Sequence, residues 1–215
     1  AGSNLERMEL TTHVGTHIDS LGHFTYGDRM HGGYSAEETV DDFGLLNLGI
    51  EHCPPMVTRG ICLDVSHLDG ADCLAPGRPV TKEDLAKALK SADLKIEAGD
   101  VVCIKTGWGK YFMKDNDRYV TGEPGIDLEA AQWLAAQDVV AVGADNMALE
   151  VLPGTSHDAI MPVHQFLLAQ AGVYIIENMA FDGVLAAGAN AFCFMLTAVK
   201  FKGATGCPVR PIAIV

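Results

Sequence analysis

Short apolar runs alternate with helical patterns along most of the chain after residue 59. Runs of this kind, rich in Val, Ile and other apolar residues, are typical of buried strands. The six predicted strands are Gly60–Val65, Asp100–Thr106, Val139–Gly143, Val173–Glu177, Ala191–Val199 and Pro211–Val215. Because helical patterns fill several of the intervals, we predict an α/β (α+β) fold, with a mixed β-sheet core wrapped by a few helices.

Three segments between these strands predict helices. The stretch Thr81–Asp84 has the residue types of a capping box at the start of a helix. Asp127 is suited to cap a second helix over Leu128–Ala136. A third helix is predicted from about residue 161 to residue 171, where Gly172 would end it.

Composition excludes several classes of partner. The chain has 15 Lys+Arg against 28 Asp+Glu, so its formal net charge is −13. This charge disfavours phosphate backbones and anionic membrane surfaces, and no apolar run approaches the roughly 20 residues that span a bilayer. We therefore predict no nucleic-acid partner and no membrane association. No repeat, low-complexity tract or linker divides the chain, so a single domain over residues 1–215 is predicted.

The six cysteines are spread between Cys53 and Cys207 without a CxxC pair. A disulfide scaffold is usually shorter and denser in cysteine, so we predict a reduced, cytoplasmic setting. Cys62, Cys103 and Cys193 lie inside apolar runs and are predicted to be small core residues.

The segment His13-Val-Gly-Thr-His17-Ile-Asp19-Ser-Leu-Gly-His23 carries the most informative polar pattern. In extended backbone its odd-numbered positions would share one face, and Gly15 would leave space between the imidazoles. Two imidazoles and one carboxylate are a common ligand set for Zn²⁺, Mn²⁺ or Fe²⁺, with coordination positions left for water. His23 is suited to move protons, because an ordinary imidazole titrates near pH ~6.5. The alternative is a surface loop in which these four side chains are unrelated.

The same segment resembles the HxGTHxDxPxH signature of the cyclase family of metal-dependent hydrolases, which includes kynurenine formamidases and isatin hydrolases. Other segments similar to the family follow in order along nearly the whole chain. They are Thr58–Asp64, Ala98–Trp108, Gly143–Asn146, His164–Leu168, Ile176–Asn178 and Gly203–Gly206. The resemblance implies a swivelling β/β/α-like cyclase fold and a homodimer or higher homo-oligomer.

The resemblance also implies roles for individual residues. His13, His17 and Asp19 match the family's metal ligands, and His23 matches its catalytic histidine. The implied cofactor is Zn²⁺ or Mn²⁺, as one or two ions.

A second metal site is implied by two residues far along the chain. His164 and Glu177 match the positions that complete this site in binuclear members, where the residue equivalent to Asp19 is shared. Glu177 would end an apolar strand, a place where side chains often reach the mouth of a site.

The chain departs from the family pattern in two places. Leu21 stands where the signature has Pro, as in the longer cyclase-like members rather than the kynurenine formamidases. The family's N-terminal strand has no counterpart before Ala1, so we expect the chain to lack it.

The leading hypothesis is a metal-dependent hydrolase acting on a small-molecule carbonyl substrate. It would open an amide or ester bond in a cyclic or aromatic compound through a metal-activated water. Three alternatives stay open: an arylformamidase acting on N-formylkynurenine, a lyase or cyclase, and a non-catalytic metal-binding protein.

Several aromatic residues and histidines have less distinctive positions. Trp108 could stack on an aromatic substrate or belong to the core, and Phe24 and Tyr26 could line a pocket. The other histidines lack partner spacing and are predicted to be surface or structural residues: His31, His52, His67 and His157.

Overall fold

The computed structural model describes residues 2–154 and 160–215, and this part of the chain contains twelve strands. In chain order they are β1 (His17–Asp19), β2 (Val40–Asp41), β3 (Gly44–Leu45), β4 (Met56–Asp64), β5 (Pro79–Val80), β6 (Val101–Lys105), β7 (Gly125–Ile126), β8 (Ala141–Ala144), β9 (Tyr174–Glu177), β10 (Ala191–Leu196), β11 (Gly206–Pro208) and β12 (Ile212–Ile214).

Eight of these strands form one mixed sheet in the order β11-β1-β9-β8-β6-β4-β10-β12. The four central strands, β4, β6, β8 and β9, are parallel. The outer strands are antiparallel to their neighbours. Parallel strands covered on both faces read as continuous apolar runs, which explains why these strands stand out in the sequence. The remaining strands form two small pairs, β2–β3 and β5–β7.

The helices of the described part are short. The α-helices are α1 (Ala36–Thr39), α2 (Lys82–Ser91), α3 (Asn116–Tyr119), α4 (Leu128–Ala135), α5 (Pro162–His164) and α6 (Asp182–Ala186). Three 3₁₀ turns cover His31–Gly33, Ile50–His52 and Trp108–Tyr111, and a π-helical segment covers Gln165–Ala171 directly after α5. None of these helices is both long and apolar enough to cross a membrane.

Alternate residues of the central strands pack into two separate cores. Ile61 and Leu63 of β4 pack with α2, α4 and the π-helical segment, whereas Cys62 between them packs into the core on the other face. This alternation follows from the two-residue period of a strand. The helical layer therefore covers one face of the sheet, and the chain between Ile50 and Cys53 contributes to covering the other.

The structure confirms the predicted fold class and most of the predicted elements. Each of the six predicted strands overlaps an observed one, although β4 begins at Met56 rather than Gly60 and the fifth predicted strand ends at Leu196 rather than Val199. The capping box at Thr81 is present, and the Asp127 side chain accepts a hydrogen bond from Ala130 N–H. Gly172 ends the third helical segment in the left-handed region, with φ of 72°.

Two predictions about local structure are wrong. The His-rich segment is not extended throughout, because only His17–Asp19 is a strand and Gly15 turns the chain with φ of 58°. Cys193 is exposed rather than in the core, because it lies on the outer side of β10, whereas Cys62 and Cys103 are buried as predicted.

Candidate metal centre

Strand pairing brings three of the candidate ligands together, namely His17, Asp19 and Glu177. His17 and Asp19 are two residues apart on β1 and therefore point to the same face of the sheet. Glu177 ends β9 and stands directly opposite His17 in the antiparallel pair. Directly opposite side chains in such a pair have Cβ atoms roughly 5 Å apart. Nε2 of His17 accordingly lies 3.1 Å from Oε2 of Glu177.

His13 reaches the same place by a bend instead of a strand. Its Nδ1 lies 2.8 Å from Oδ1 of Asp19, and its Nε2 lies 2.9 Å from the Thr205 hydroxyl. The ring rests against the backbone of Gly206, where a Cβ would come within 2.6 Å of its Cε1 atom. The absence of a side chain at position 206 therefore leaves room for the imidazole.

His164 approaches the group from the helical layer. It lies at the end of α5, and its Nε2 is 3.1 Å from Oε1 of Glu177 and 3.7 Å from Oδ2 of Asp19. Its Nδ1 faces away from the group and lies 2.6 Å from the carboxylate of Glu150. The ring is thus held between an acidic residue on each side.

The five predicted ligands form two groups that share Asp19. In one group the ligand atoms of His13, His17 and Asp19 all lie within 4.8 Å of one another. In the other group Asp19, His164 and Glu177 meet the same limit. All five side chains are buried except that of His13, which is partly exposed. The structure therefore brings together every residue that the sequence predicts to be a metal ligand.

Three ligand atoms in this cluster lack a well-formed hydrogen bond. Nε2 of His17 and both carboxylate oxygens of Asp19 are buried, yet none makes a hydrogen bond of good geometry among the described residues. Buried polar atoms without partners are costly and uncommon in folded proteins. Imidazole nitrogens and carboxylate oxygens are the donors that bind Zn²⁺ and Mn²⁺. A divalent cation would satisfy all of these atoms at once, so the residues present fit such an ion.

The charges around the cluster also favour a cation. Burial opposes charge on His164, but Glu150, Glu177 and Asp19 outweigh it and raise the pKa of this imidazole to about 10. Burial likewise opposes charge on His17, and Glu177 and Asp19 raise its pKa. The site therefore favours positive charge between these carboxylates, where a metal ion would lie.

His23 lies beside the cluster but is not part of either ligand group. Its ring stacks on that of His13, with centroids 4.0 Å apart, and meets Phe24 edge-on. Burial lowers the pKa of His23 to about 4, and the charges of His13 and His164 act in the same direction. The ring is therefore neutral near pH 7, and its nitrogens make no hydrogen bond among the described residues.

A cavity of about 430 Å³ opens onto the cluster and His23. Phe24, Met147 and Ala148 contribute to its wall, so the prediction for Phe24 is confirmed. Tyr26 is exposed outside this wall, and Trp108 is fully buried in the core.

The other described histidines take no part in the cluster. His31 packs on Gly172, and His52 and His67 are exposed. His157 lies outside the described residues.

Sequence reasoning missed three polar residues near the site. Glu150 contacts His164, as described above. Buried Glu123 accepts hydrogen bonds from the N–H groups of Met147 and Ala148 in the cavity wall. Asn178 follows Glu177 with φ of 53° and accepts a hydrogen bond from Tyr119. Asn178 could have been found from its place in the family-like segment Ile176–Asn178, at the end of an apolar strand. Both glutamates lie in stretches without a motif.

Comparison with known proteins agrees with this architecture. Cyclase-like protein 2 of Arabidopsis thaliana is 26% identical over 215 residues, which are 99% of this chain and 65% of that protein. The isatin hydrolase of Roseibium aggregatum is also 26% identical, over 97% of this chain and 73% of that protein. The chain thus spans just under two thirds of the length of the Arabidopsis protein.

Solved structures share the fold. The crystal structure of a protein described as a novel cyclase has a TM-score of 0.82 and 30% identity, covering 93% of this chain and 69% of the other. An isatin hydrolase bound to the product analogue thioisatinate has a TM-score of 0.71 at 22% identity, covering 96% of this chain and 73% of the other. The family model named Cyclase matches residues 3–151. This chain belongs to the Cyclase family.

Proposed function

We propose that this protein is a metal-dependent hydrolase that opens an amide or ester bond in a small carbonyl compound. The observation that carries the proposal is the buried set of ligand atoms around Asp19, whose oxygens make no hydrogen bond of good geometry among the described residues, beside an open cavity. A protein that only stores metal needs no substrate cavity beside the ligands and no further histidine next to them. This protein has both the cavity and, in His23, the further histidine.

Two ligand groups would hold the metal. His13, His17 and Asp19 would bind one ion, and Asp19, His164 and Glu177 would bind a second. When bound, Zn²⁺ or Mn²⁺ supplies Lewis acidity, which polarises a substrate carbonyl and makes a coordinated water more acidic. Four of the five ligand side chains are buried, which strengthens these interactions because charges attract more strongly where water is excluded.

His23 is the residue we propose to transfer protons. Its lowered pKa keeps the imidazole neutral at pH 7, so that it can accept a proton from the attacking water. The same ring can then return that proton to the leaving amine or alkoxide. Stacking against His13 holds the ring plane beside the ligand group, and the ring nitrogens make no hydrogen bond among the described residues.

The shape of the cavity favours a small substrate with an apolar ring. Phe24 and Met147 supply apolar wall next to the ligand groups, and about 430 Å³ suits a compact aromatic or cyclic compound. The relationship to an isatin hydrolase points to a strained cyclic amide, and lactones offer the same acyl chemistry. Leu21 replaces the signature proline and makes the chain less similar to the kynurenine formamidases. N-formylkynurenine is therefore the second candidate substrate.

A substrate panel tests the proposal. The protein is freed of metal, reloaded with Zn²⁺ or Mn²⁺, and assayed with isatin, a dienelactone and N-formylkynurenine in ¹⁸O-labelled water. We expect metal-dependent turnover of one compound, with one ¹⁸O atom in the product carboxylate. A product without ¹⁸O would identify a lyase or cyclase instead. Stable metal binding with no turnover of any acyl compound would indicate a non-catalytic role.

A further inference from the structure

Glu150 has contacts that differ from those of the other buried carboxylates. One of its oxygens lies 2.6 Å from Nδ1 of His164 and also accepts a hydrogen bond from His164 N–H at 3.1 Å. The other oxygen accepts a hydrogen bond from Val163 N–H at 3.4 Å. Glu150 is only 2% exposed. Its carboxylate therefore holds both the backbone and the ring of His164.

The three imidazoles of the cluster have unequal outer partners. Nδ1 of His17 donates to the carbonyl oxygen of Gly15 at 2.9 Å, and Nε2 of His13 meets the hydroxyl of Thr205 at the same distance. These two partners carry no charge. Among the described residues, His164 alone of the three has a carboxylate behind its ring, so Glu150 adds negative charge to one ligand group and not to the other.

We propose that Glu150 is a positioning residue that makes His164 a metal ligand, and that the Asp19, His164 and Glu177 subsite depends on it. This inference rests on the proposed metal site, although it concerns a residue outside both ligand groups. An ionised carboxylate can only accept hydrogen bonds, so Nδ1 of His164 carries a proton. When an ion binds, Nε2 gives up its own proton and offers its lone pair to that ion. A carboxylate behind a ligating imidazole also makes the imidazole a stronger donor.

Glu123 provides a matched control. It is buried, and it accepts two backbone hydrogen bonds near the same cavity, at 2.8 Å from Met147 and 2.7 Å from Ala148. Its carboxylate differs from that of Glu150 in having no imidazole partner among the described residues. Substitution of either glutamate by glutamine replaces a buried carboxyl group with an amide of the same shape and disturbs two backbone hydrogen bonds. Only the change at Glu150 should alter metal binding.

The experiment measures stepwise Zn²⁺ affinities by competition with a chromophoric chelator, without a substrate. In the full chain, we expect Glu150→Ala to weaken one Zn²⁺-binding event by roughly 10–100-fold, which is the usual effect of losing the hydrogen-bond partner behind a metal ligand. The other binding event should be unchanged. Glu150→Gln, which keeps an acceptor oxygen for Nδ1–H, should lose less, and Glu123→Gln should bind like the wild type. Circular dichroism shows whether each variant is folded, and Glu150→Gln carries the test if Glu150→Ala does not fold.

A double-variant comparison separates positioning from general destabilisation. If Glu150 acts through His164, then Glu150→Ala in a His164→Ala background has no further effect on Zn²⁺ affinity. An additional loss in that background would overturn the proposal, as would unchanged affinity in the folded single variants at position 150. Wild-type Zn²⁺ binding that is insensitive to His164→Ala would also overturn it, while leaving the His13 group in place. Failure of the wild-type chain to bind Zn²⁺ would instead remove the proposed function itself.

Discussion

Replacement of Asp19 by asparagine is the sharpest perturbation of the proposed centre. Asp19 belongs to both ligand groups and is 1% exposed. Asparagine has nearly the same shape as aspartate but lacks the negative charge. The space of the Asp19 side chain therefore stays filled, while each ligand group loses an anionic ligand. We expect the variant to fold and to lose the stabilisation that metal gives the wild type.

The size of this loss follows from binding linkage. At a free metal concentration one hundred times Kd, one occupied site adds about 2.7 kcal/mol to the free energy of unfolding. For a chain of this length, 1 kcal/mol shifts Tm by about 2–4 °C, so one site raises Tm by roughly 5–11 °C. Two sites that share Asp19 would raise it further, and Asp19→Asn should abolish the whole shift.

Differential scanning calorimetry with and without Zn²⁺ measures this shift. The control is Asp117→Asn, which makes the same chemical change at an exposed position on α3 and should keep the full metal-dependent shift. A wild-type Tm that does not respond to Zn²⁺ or Mn²⁺, or an Asp19→Asn variant that keeps the full response, would refute the reasoning.

Three further predictions concern the surroundings of Asp19. His23→Ala should lower kcat by roughly 10²–10⁴-fold at unchanged metal content, as expected for a lost general acid–base; comparable turnover in the variant would remove His23 from the mechanism. Gly206→Ala should displace the His13 ring, because the new Cβ would lie 2.6 Å from Cε1, and chelator competition should show weaker Zn²⁺ binding. Zn²⁺ affinity equal to that of the wild type would mean that Gly206 does not set the position of the His13 ring. Leu134→Ala on α4, a fully buried site, should cost about 2–5 kcal/mol in urea denaturation while the metal stoichiometry is retained. Loss of metal from that variant while it is folded would contradict the separation of core and site.

The parts of the fold that the sequence predicts are those with strong local patterns. The central parallel strands are continuous apolar runs, and the helices at Lys82 and Leu128 begin at capping side chains. The strands that were missed are only two or three residues long, too short to show a period, and are formed by tertiary pairing.

The candidate site was predicted as a set of residues and not as a geometry. Alternation along an extended strand explains His17 and Asp19, but His13 reaches Asp19 through the left-handed turn at Gly15. The sequence does not predict the role of Glu150, because this residue is fourteen positions from His164 and their contact depends on how the loop after β8 packs against α5. Contacts of this kind are set by the whole fold rather than by local spacing.

Metal content per chain tests the central claim most directly. Inductively coupled plasma mass spectrometry on protein purified without a metal-affinity tag, compared with Asp19→Asn, would give this stoichiometry. We predict one to two equivalents of Zn²⁺ or Mn²⁺ in the wild type and none in the variant. The absence of bound metal from the wild type after reconstitution with both ions would contradict the assignment of the cluster around Asp19 as a metal centre.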